Sequence, residues 1–392
     1  MPYLNLISFC CSCLLSAFSG LLPGPAAGPA VMSLPQTQGD TLSTIDLSAD
    51  TARQVIVARG TATVYQGQPT TVLLPDGKTL YAVWTYGHGG VCGPMKRSTD
   101  GGRTWSPLLN VPENWKTVSN CPAIYRLPDP KGRYRLFVFA GQGPDGSMYR
   151  AYSEDEGKTW SPMQSAGLQP SVMPFCTIRP VDGGKRLLAM TNLRRPGEKK
   201  EAKSNVVAQS ISDDGGFTWS KWRIVLDLPG LKPCEPTLVR SPSGKQLLCL
   251  IRENDKHVSL YMTSDDEGRT WSAARPLPAG LWGDRHQAAY APDGRLVVVF
   301  RDTGTGSPTH KHFVAWVGAY DDIIKGRPGQ YRLKLLHNYR SWADCGYSGL
   351  EVLPDGTFVT TTYIKYRPGP EKNSIISVRF NLKETDRLYQ HQ

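Results

Sequence analysis

Apolar residues in this chain come in short runs, not in helical periods. Thr79-Leu-Tyr-Ala-Val-Trp84 and Gln246-Leu-Leu-Cys-Leu-Ile251 are two such runs. Each follows a segment that closes on a tight turn, Pro69-Thr-Thr-Val-Leu-Leu-Pro-Asp-Gly77 and Pro236-Thr-Leu-Val-Arg-Ser-Pro-Ser-Gly244. A run of four to eight apolar or β-branched residues bounded by such a turn reads as a buried strand of a hairpin. Looser versions begin at Pro122 and Cys176, and two more run from His286 to Gly294 and from Ser348 to Gly356. That makes six units of hairpin-joined antiparallel strands. Long amphipathic helical patterns are hard to find.

Four of the units are followed by Ser-x-Asp-x-Gly-x-Thr-Trp: Ser98 to Trp105, Ser153 to Trp160, Ser212 to Trp219 and Ser264 to Trp271. The serines are therefore 55, 59 and 52 residues apart, a period that signals a repeat architecture. Asp can bind local backbone N–H groups, Gly accepts φ > 0, and Trp offers a large apolar plate to bury. Together these features predict an all-β chain, a six-bladed β-propeller of four-stranded antiparallel blades, whose sheet edges are hidden by radial repetition. Gln54-Val-Ile-Val-Ala58 belongs to no unit and is expected to close the ring as the outer strand of the last blade.

Composition adds the setting. A formal charge of +11 favours an acidic partner. The charge is spread along the chain, and its one cluster, Arg194-Arg195 with Lys199-Lys200 and Lys203, is diluted by Glu198 and Glu201. That cluster reads as a solvated loop between two strands, not a nucleic-acid site. Residues 3–22 are apolar and uncharged and precede the small-residue run Pro25 to Ala30, the pattern of a secretory leader. The expected organisation is a leader over 1–30, a linker and lead-in over 31–50, and a single propeller domain over 51–392. It implies a secreted or periplasmic protein with no stable membrane span after cleavage; a retained anchor is the alternative. Cys92, Cys121, Cys176, Cys234, Cys249 and Cys345 lie beyond the leader, an even number that permits disulfides without a spacing that pairs them or marks a metal site. No cofactor or metal is expected.

Aligning the units on their turn glycines identifies the positions that face the central mouth. Counting back equally gives Gln68, Cys121, Phe175, Glu235, Arg285 and Tyr347. A second rim, where the following strand ends, holds Arg252, Arg301 and Tyr363. An acid, a phenol and three guanidiniums from distant parts of the chain converge there, as a catalytic reading requires.

The four Ser-x-Asp-x-Gly-x-Thr-Trp copies and the six units resemble the sialidase (neuraminidase) superfamily of Asp-box propellers over roughly residues 50–381. The resemblance implies that the boxes are structural braces on outer turns, away from the site. Cys234-Glu235-Pro236-Thr237 through Arg252 resembles the family segment that supplies a Glu and, about 17–19 residues later, a carboxylate-binding Arg. Cys345-Gly346-Tyr347-Ser348 resembles the segment that carries a nucleophilic Tyr. By this resemblance Tyr347 is the nucleophile, Glu235 its base and Arg252 a clamp for the substrate carboxylate, with Arg285 and Arg301 as further clamp candidates. A phenol suits a sugar whose anomeric carbon bears a carboxylate, because an anionic Asp or Glu nucleophile would be repelled. Two positions depart from the family pattern. Gln68 stands where an Arg is usual, and the loop Trp84-Thr-Tyr-Gly-His-Gly-Gly90 lacks the general-acid Asp. His88 lies in the right region to replace that acid.

The leading expectation is thus an exo-glycoside hydrolase that removes a terminal acidic sugar, a sialic acid or related 2-keto acid, from a glycan or glycoconjugate. A propeller enzyme of different specificity, such as a uronic-acid lyase using His88 and Tyr347, and a non-catalytic carbohydrate-binding propeller are the alternatives.

Overall fold

The structure is a computed structural model that describes residue 34 and residues 42–198 and 204–391. The expected leader over 1–30, and Lys199, Lys200 and Lys203 of the basic cluster, lie outside the described residues. Six antiparallel sheets follow one another along the chain as six blades. In each, the first strand is innermost, and contacts between successive inner strands close a ring around a central axis. The second strand of a blade lies in mid-sheet between two neighbouring blades, so both of its faces are covered. Leu80 to Trp84, Leu136 to Ala140, Leu187 to Met190, Leu247 to Ile251 and Leu296 to Phe300 are accordingly all buried. That double burial is why these strands read as continuous apolar runs and not as alternating ones.

Four blades have four strands, the first has three and the fifth has five. In the first blade the stretch after the box is tied to the third strand Met95–Ser98 by only two ladder bonds, Ser106 N to Arg97 O at 2.8 Å and Leu109 N to Met95 O at 2.9 Å. In the fifth, Thr44–Asp46 adds a parallel edge strand, with Ile45 opposite Leu333. Gln54–Ala58 pairs antiparallel with Ser374–Asn381 and completes the sixth blade, so the last sheet contains both ends of the propeller. Ring closure therefore uses the strand that the sequence left over.

The Asp-box turns join the third strand to the outer segment, at the end of the blade opposite the mouth. In the second box Ser153 Oγ donates to Asp155 Oδ1 (2.8 Å), while Thr159 N and Oγ1 donate to the two Asp155 oxygens at 2.9 and 2.6 Å. The box glycine faces the preceding blade. A Cβ on Gly157 (φ 87°) would lie 2.5 Å from Tyr81, and one on Gly268 (φ 82°) 2.5 Å from Leu188. Tyr81 Oη also donates to Glu156 O at 2.9 Å. Each box is thus a turn brace that also fastens its blade to the neighbour before it.

All six cysteines from Cys92 to Cys345 are buried free thiols. Among the described residues, no helix is long and apolar enough to cross a membrane, and no three His, Cys, Asp or Glu side chains group as metal ligands.

Candidate active site

The inner strands deliver the site residues through a repeated backbone device. Gln68, Cys121, Glu235 and Arg285 occupy equivalent positions and all have left-handed φ, of 54°, 50°, 50° and 58°. At three of them the pairing with the second strand slips, between Gly67 and Thr70, Cys234 and Thr237, and Asp284 and Gln287. Such a bulge kinks the strand and re-aims one side chain. For a non-glycine residue it costs on the order of 1–3 kcal/mol, so the surroundings must hold it in place. Asn192 of the third blade contributes at Glu235, where its Oδ1 accepts from Glu235 N at 3.1 Å. Gln68, Glu235 and Arg285 lie inside their inner strands, at the bulge, whereas Cys121 precedes its strand, Ala123–Pro128.

Glu235, from the fourth blade, and Tyr347, from the sixth, meet: Tyr347 Oη donates a short hydrogen bond to Glu235 Oε1. Both residues are buried, with 4% and 8% exposure. Arg252, at the end of the next strand, donates from Nη1 to both Glu235 oxygens at 3.0 Å and from Nη2 to Asn254 Oδ1 at 2.6 Å. Its Nε lies 2.8 Å from Asp284 Oδ1. Asp284 in turn accepts from Arg301 Nε at 2.9 Å and Nη2 at 2.5 Å, and Arg301 Nη1 donates to the carbonyls of Ala343 and Cys345 at 2.8 and 3.0 Å. The result is a continuous buried chain, Tyr347–Glu235–Arg252–Asp284–Arg301. Arg285 sits beside it, its guanidinium 5.2 Å from the centre of the Tyr347 ring. Its other surroundings are Tyr125, Cys176 and Glu351, with which it lines a central channel of about 260 Å³.

Burial opposes ionisation of Glu235, but Arg252 and Arg285 together with the Tyr347 hydroxyl hold its carboxyl below the ordinary value. Burial and then the Glu235 charge push the Tyr347 phenol well above its own. The resting proton therefore belongs to Tyr347, and Glu235 is an ionised acceptor already in contact with it. Asp284 follows the same pattern: burial works against its charge, and Arg252 and Arg301 outweigh it.

On the other side of Tyr347 the site reaches the first blade. The buried ring of Tyr363 lies 6.1 Å from that of Tyr347, 6.1 Å from Tyr65 and 6.3 Å from His88. His88 is 61% exposed, and its Nδ1 lies 3.7 Å from Asp344 Oδ1. Gln68, nearly fully buried, does not reach out as a clamp would. Its Oε1 accepts from Gly89 N at 2.6 Å and so anchors the glycine-rich loop that presents His88.

The structure thus gathers His88, Glu235, Arg252, Arg301 and Tyr347, with Arg285 turned along the channel and Gln68 behind the His88 loop. Three participants escaped the sequence reading, namely Asp284, Asp344 and Tyr65. Asp284 immediately precedes Arg285, and Asp344 comes three residues before Tyr347. Taking one position per unit passed over both, whereas the carboxylate-rich neighbours of the aligned positions were the available signal.

The family described as BNR repeat-like domain matches residues 116–336, and that described as BNR/Asp-box repeat matches 96–107. The chain is similar to the anhydrosialidase of Macrobdella decora, 26% identical over 234 residues, which are 57% of this chain and 30% of that protein. It is also similar to the sialidase of Micromonospora viridifaciens, 23% identical over 253 residues, 61% of this chain and 30% of that protein. The match thus spans under a third of the length of these curated relatives. Among solved structures, a protein of unknown function from Dyadobacter fermentans aligns with a TM-score of 0.63 at 18% identity, over 83% of this chain and 98% of that one. The intramolecular trans-sialidase of Ruminococcus gnavus aligns with a TM-score of 0.53 at 16% identity, over 84% and 97%. At these identities the likeness to solved structures is one of fold.

Proposed function

The chain belongs to the BNR repeat-like domain family and is a sialidase-like propeller; from that premise we propose that it is an exo-glycoside hydrolase, acting on glycans that end in a sialic acid or related 2-keto acid sugar. The observation that carries this reading is the buried hydrogen bond from Tyr347 to Glu235, with Arg252 pairing the same carboxylate. A phenol in contact with an ionised carboxylate can lose its proton as it attacks. Tyr347 Oη forms a bond to the anomeric carbon and passes its proton to Glu235. The glycosidic C–O bond breaks, and the leaving oxygen takes a proton from His88. In the second half, His88 removes a proton from water as the water oxygen attacks the same carbon. The tyrosyl oxygen departs and recovers its proton from Glu235. Two displacements retain the anomeric configuration.

Arg252, 13% exposed at its side chain, is the substrate-carboxylate clamp: its Nη2 can exchange the neutral Asn254 oxygen for an anion, a stronger charge-assisted bond. Every nitrogen of the Arg301 guanidinium is already engaged, and it serves to brace the Tyr347 segment. Export, with residues 1–30 as leader, fits an extracellular glycan substrate.

A panel of sialylated and other acidic glycans, with product identification, tests the proposal. Release of the free acid sugar with retention supports it, and Tyr347→Phe should abolish release without unfolding the protein. An unsaturated product would replace hydrolysis with elimination. Tight glycan binding without turnover would replace the enzyme with a binding propeller.

A further inference from the structure

We infer that Asp344 is the positioning residue for His88, so that the proton donor of this site is a His–Asp pair assembled from the first and sixth blades. The inference rests on the reading of His88 as the acid. His88 sits on the loop Gly87 to Gly90, where the backbone alone would let the ring wander. Three contacts restrain it. Gln68 Oε1 holds Gly89 N at 2.6 Å. The rings of Tyr65 and Tyr363 flank His88 at 6.3 Å each. Asp344 Oδ1 lies 3.7 Å from Nδ1.

The carboxylate itself is fixed. Its Oδ2 lies 3.2 Å from Arg340 Nε and accepts from Asn373 Nδ2 at 3.3 Å. Asn373 Nδ2 also donates to Asp344 O at 2.8 Å. Those partners leave Oδ1 as the atom that faces the imidazole. Tyr65 Oη donates to that same Oδ1 at 2.9 Å and lies 3.5 Å from His88 Nδ1, so it bridges the pair. Asp344 is 7% exposed, whereas the His88 side chain is largely open to the mouth. The arrangement is a buried, clamped carboxylate behind an accessible imidazole.

The chemical consequence concerns which nitrogen works. A carboxylate facing Nδ1 favours a proton there, in the neutral ring as well as in the imidazolium. Nε2 is then the nitrogen that gives its proton to the leaving oxygen and later takes one from water. The groups that face His88 are Asp344 and Tyr65 and, behind Tyr65, Tyr363; Arg340 pairs with Asp344 and moderates its field. Asp344 touches no reacting atom. It is also linked along the chain to Cys345, whose carbonyl Arg301 holds, and to Tyr347. One four-residue segment, Asp344 to Tyr347, thus carries both the nucleophile and the orienter of the acid.

The test is NMR titration of selectively labelled histidine in the full chain, with His88 assigned from His88→Gln. In the wild type the neutral ring should carry its proton on Nδ1; a neutral ring protonated on Nε2 overturns the inference. Asp344→Asn should remove that preference for Nδ1, and an unchanged tautomer overturns it. The wild-type tautomer stands as the decisive measurement if that variant fails to fold. In turnover, Asp344→Asn should slow substrates with sugar leaving groups about 10–100-fold. A nitrophenyl leaving group, which departs without a proton, should lose less than about threefold. Equal losses on both would mark Asp344 as merely structural and overturn the inference. If His88 shows the Nδ1 tautomer and loses it in Asp344→Asn but no glycoside is turned over, the pairing stands and the hydrolase reading falls.

Discussion

Arg252 and Arg301 illustrate how differently two arginines in one site can be employed. Arg301 spends its donors on Asp284 and on two backbone carbonyls of the segment leading to Tyr347. Arg301→Met should leave Asp284 short of a buried partner and cost about 3–5 kcal/mol of stability, read by chemical denaturation. Arg252 pairs with Glu235, the proton acceptor of the proposed mechanism, with Asp284, and with Asn254 on the exposed side of the mouth. Arg252→Met should raise KM for an acidic sugar and, because Glu235 and Asp284 both lose a buried partner, also cost about 3–5 kcal/mol of stability. Glu235→Gln should lower kcat about 10²–10⁴-fold, the range for losing a positioned proton acceptor. Legibility ran out at this scale. Glu235, Arg252 and Tyr347 could be aligned because each occupies a repeat position. Asp284 and Asp344 could not, because what recruits them is a through-space pairing between blades.

At the scale of the element, the Asp-box and the strand bulge are opposite cases. The box is local: a serine, an aspartate and a threonine within seven residues satisfy one another, so the sequence pattern was sufficient to read it. The bulge is set by tertiary contacts such as Asn192 to Glu235, and nothing in the strand sequence announces a left-handed glutamate. Two predictions belong here. Gly157→Ala should cost about 2–4 kcal/mol, because its φ of 87° disfavours a side chain and a Cβ would strike Tyr81 of the neighbouring blade. The second concerns pH. Thr159, through its hydroxyl and backbone amide, holds the Asp155 carboxyl down to about 2, and Thr270 does the same for Asp266. An unfolded Asp titrates near ~3.9. A carboxyl depressed in the fold contributes stability that is complete above the unfolded value and is lost as pH falls through the folded one. Melting temperature should therefore drop between about pH 4 and pH 2, and Asp155→Asn should flatten that slope.

For the whole molecule, closure of the ring joins residues from opposite ends of the chain. Gln54–Ala58 completes the sixth blade, and Val57 and Ala58 pack in the same apolar cluster as Tyr347 and Tyr363. Stability and site geometry are coupled through that closure. Val57→Asp should cost about 3 kcal/mol or more and should lower turnover even in the fraction that remains folded. The propeller and its closing strand were legible because periodicity survives in the sequence. The strand count of individual blades was not: the edge strand Thr44–Asp46 is a three-residue pairing with no pattern of its own, and the outer segment of the first blade meets its neighbour through two bonds.

The most direct test of the tyrosyl mechanism is a covalent trap. A 2,3-difluorinated sialic acid should form a stable adduct whose mass maps to the tryptic peptide containing Tyr347, and the adduct should be absent from Tyr347→Phe. Hydrolysis of a sialoside by the wild-type protein with the adduct on another residue, or undiminished hydrolysis by Tyr347→Phe, would contradict the assignment.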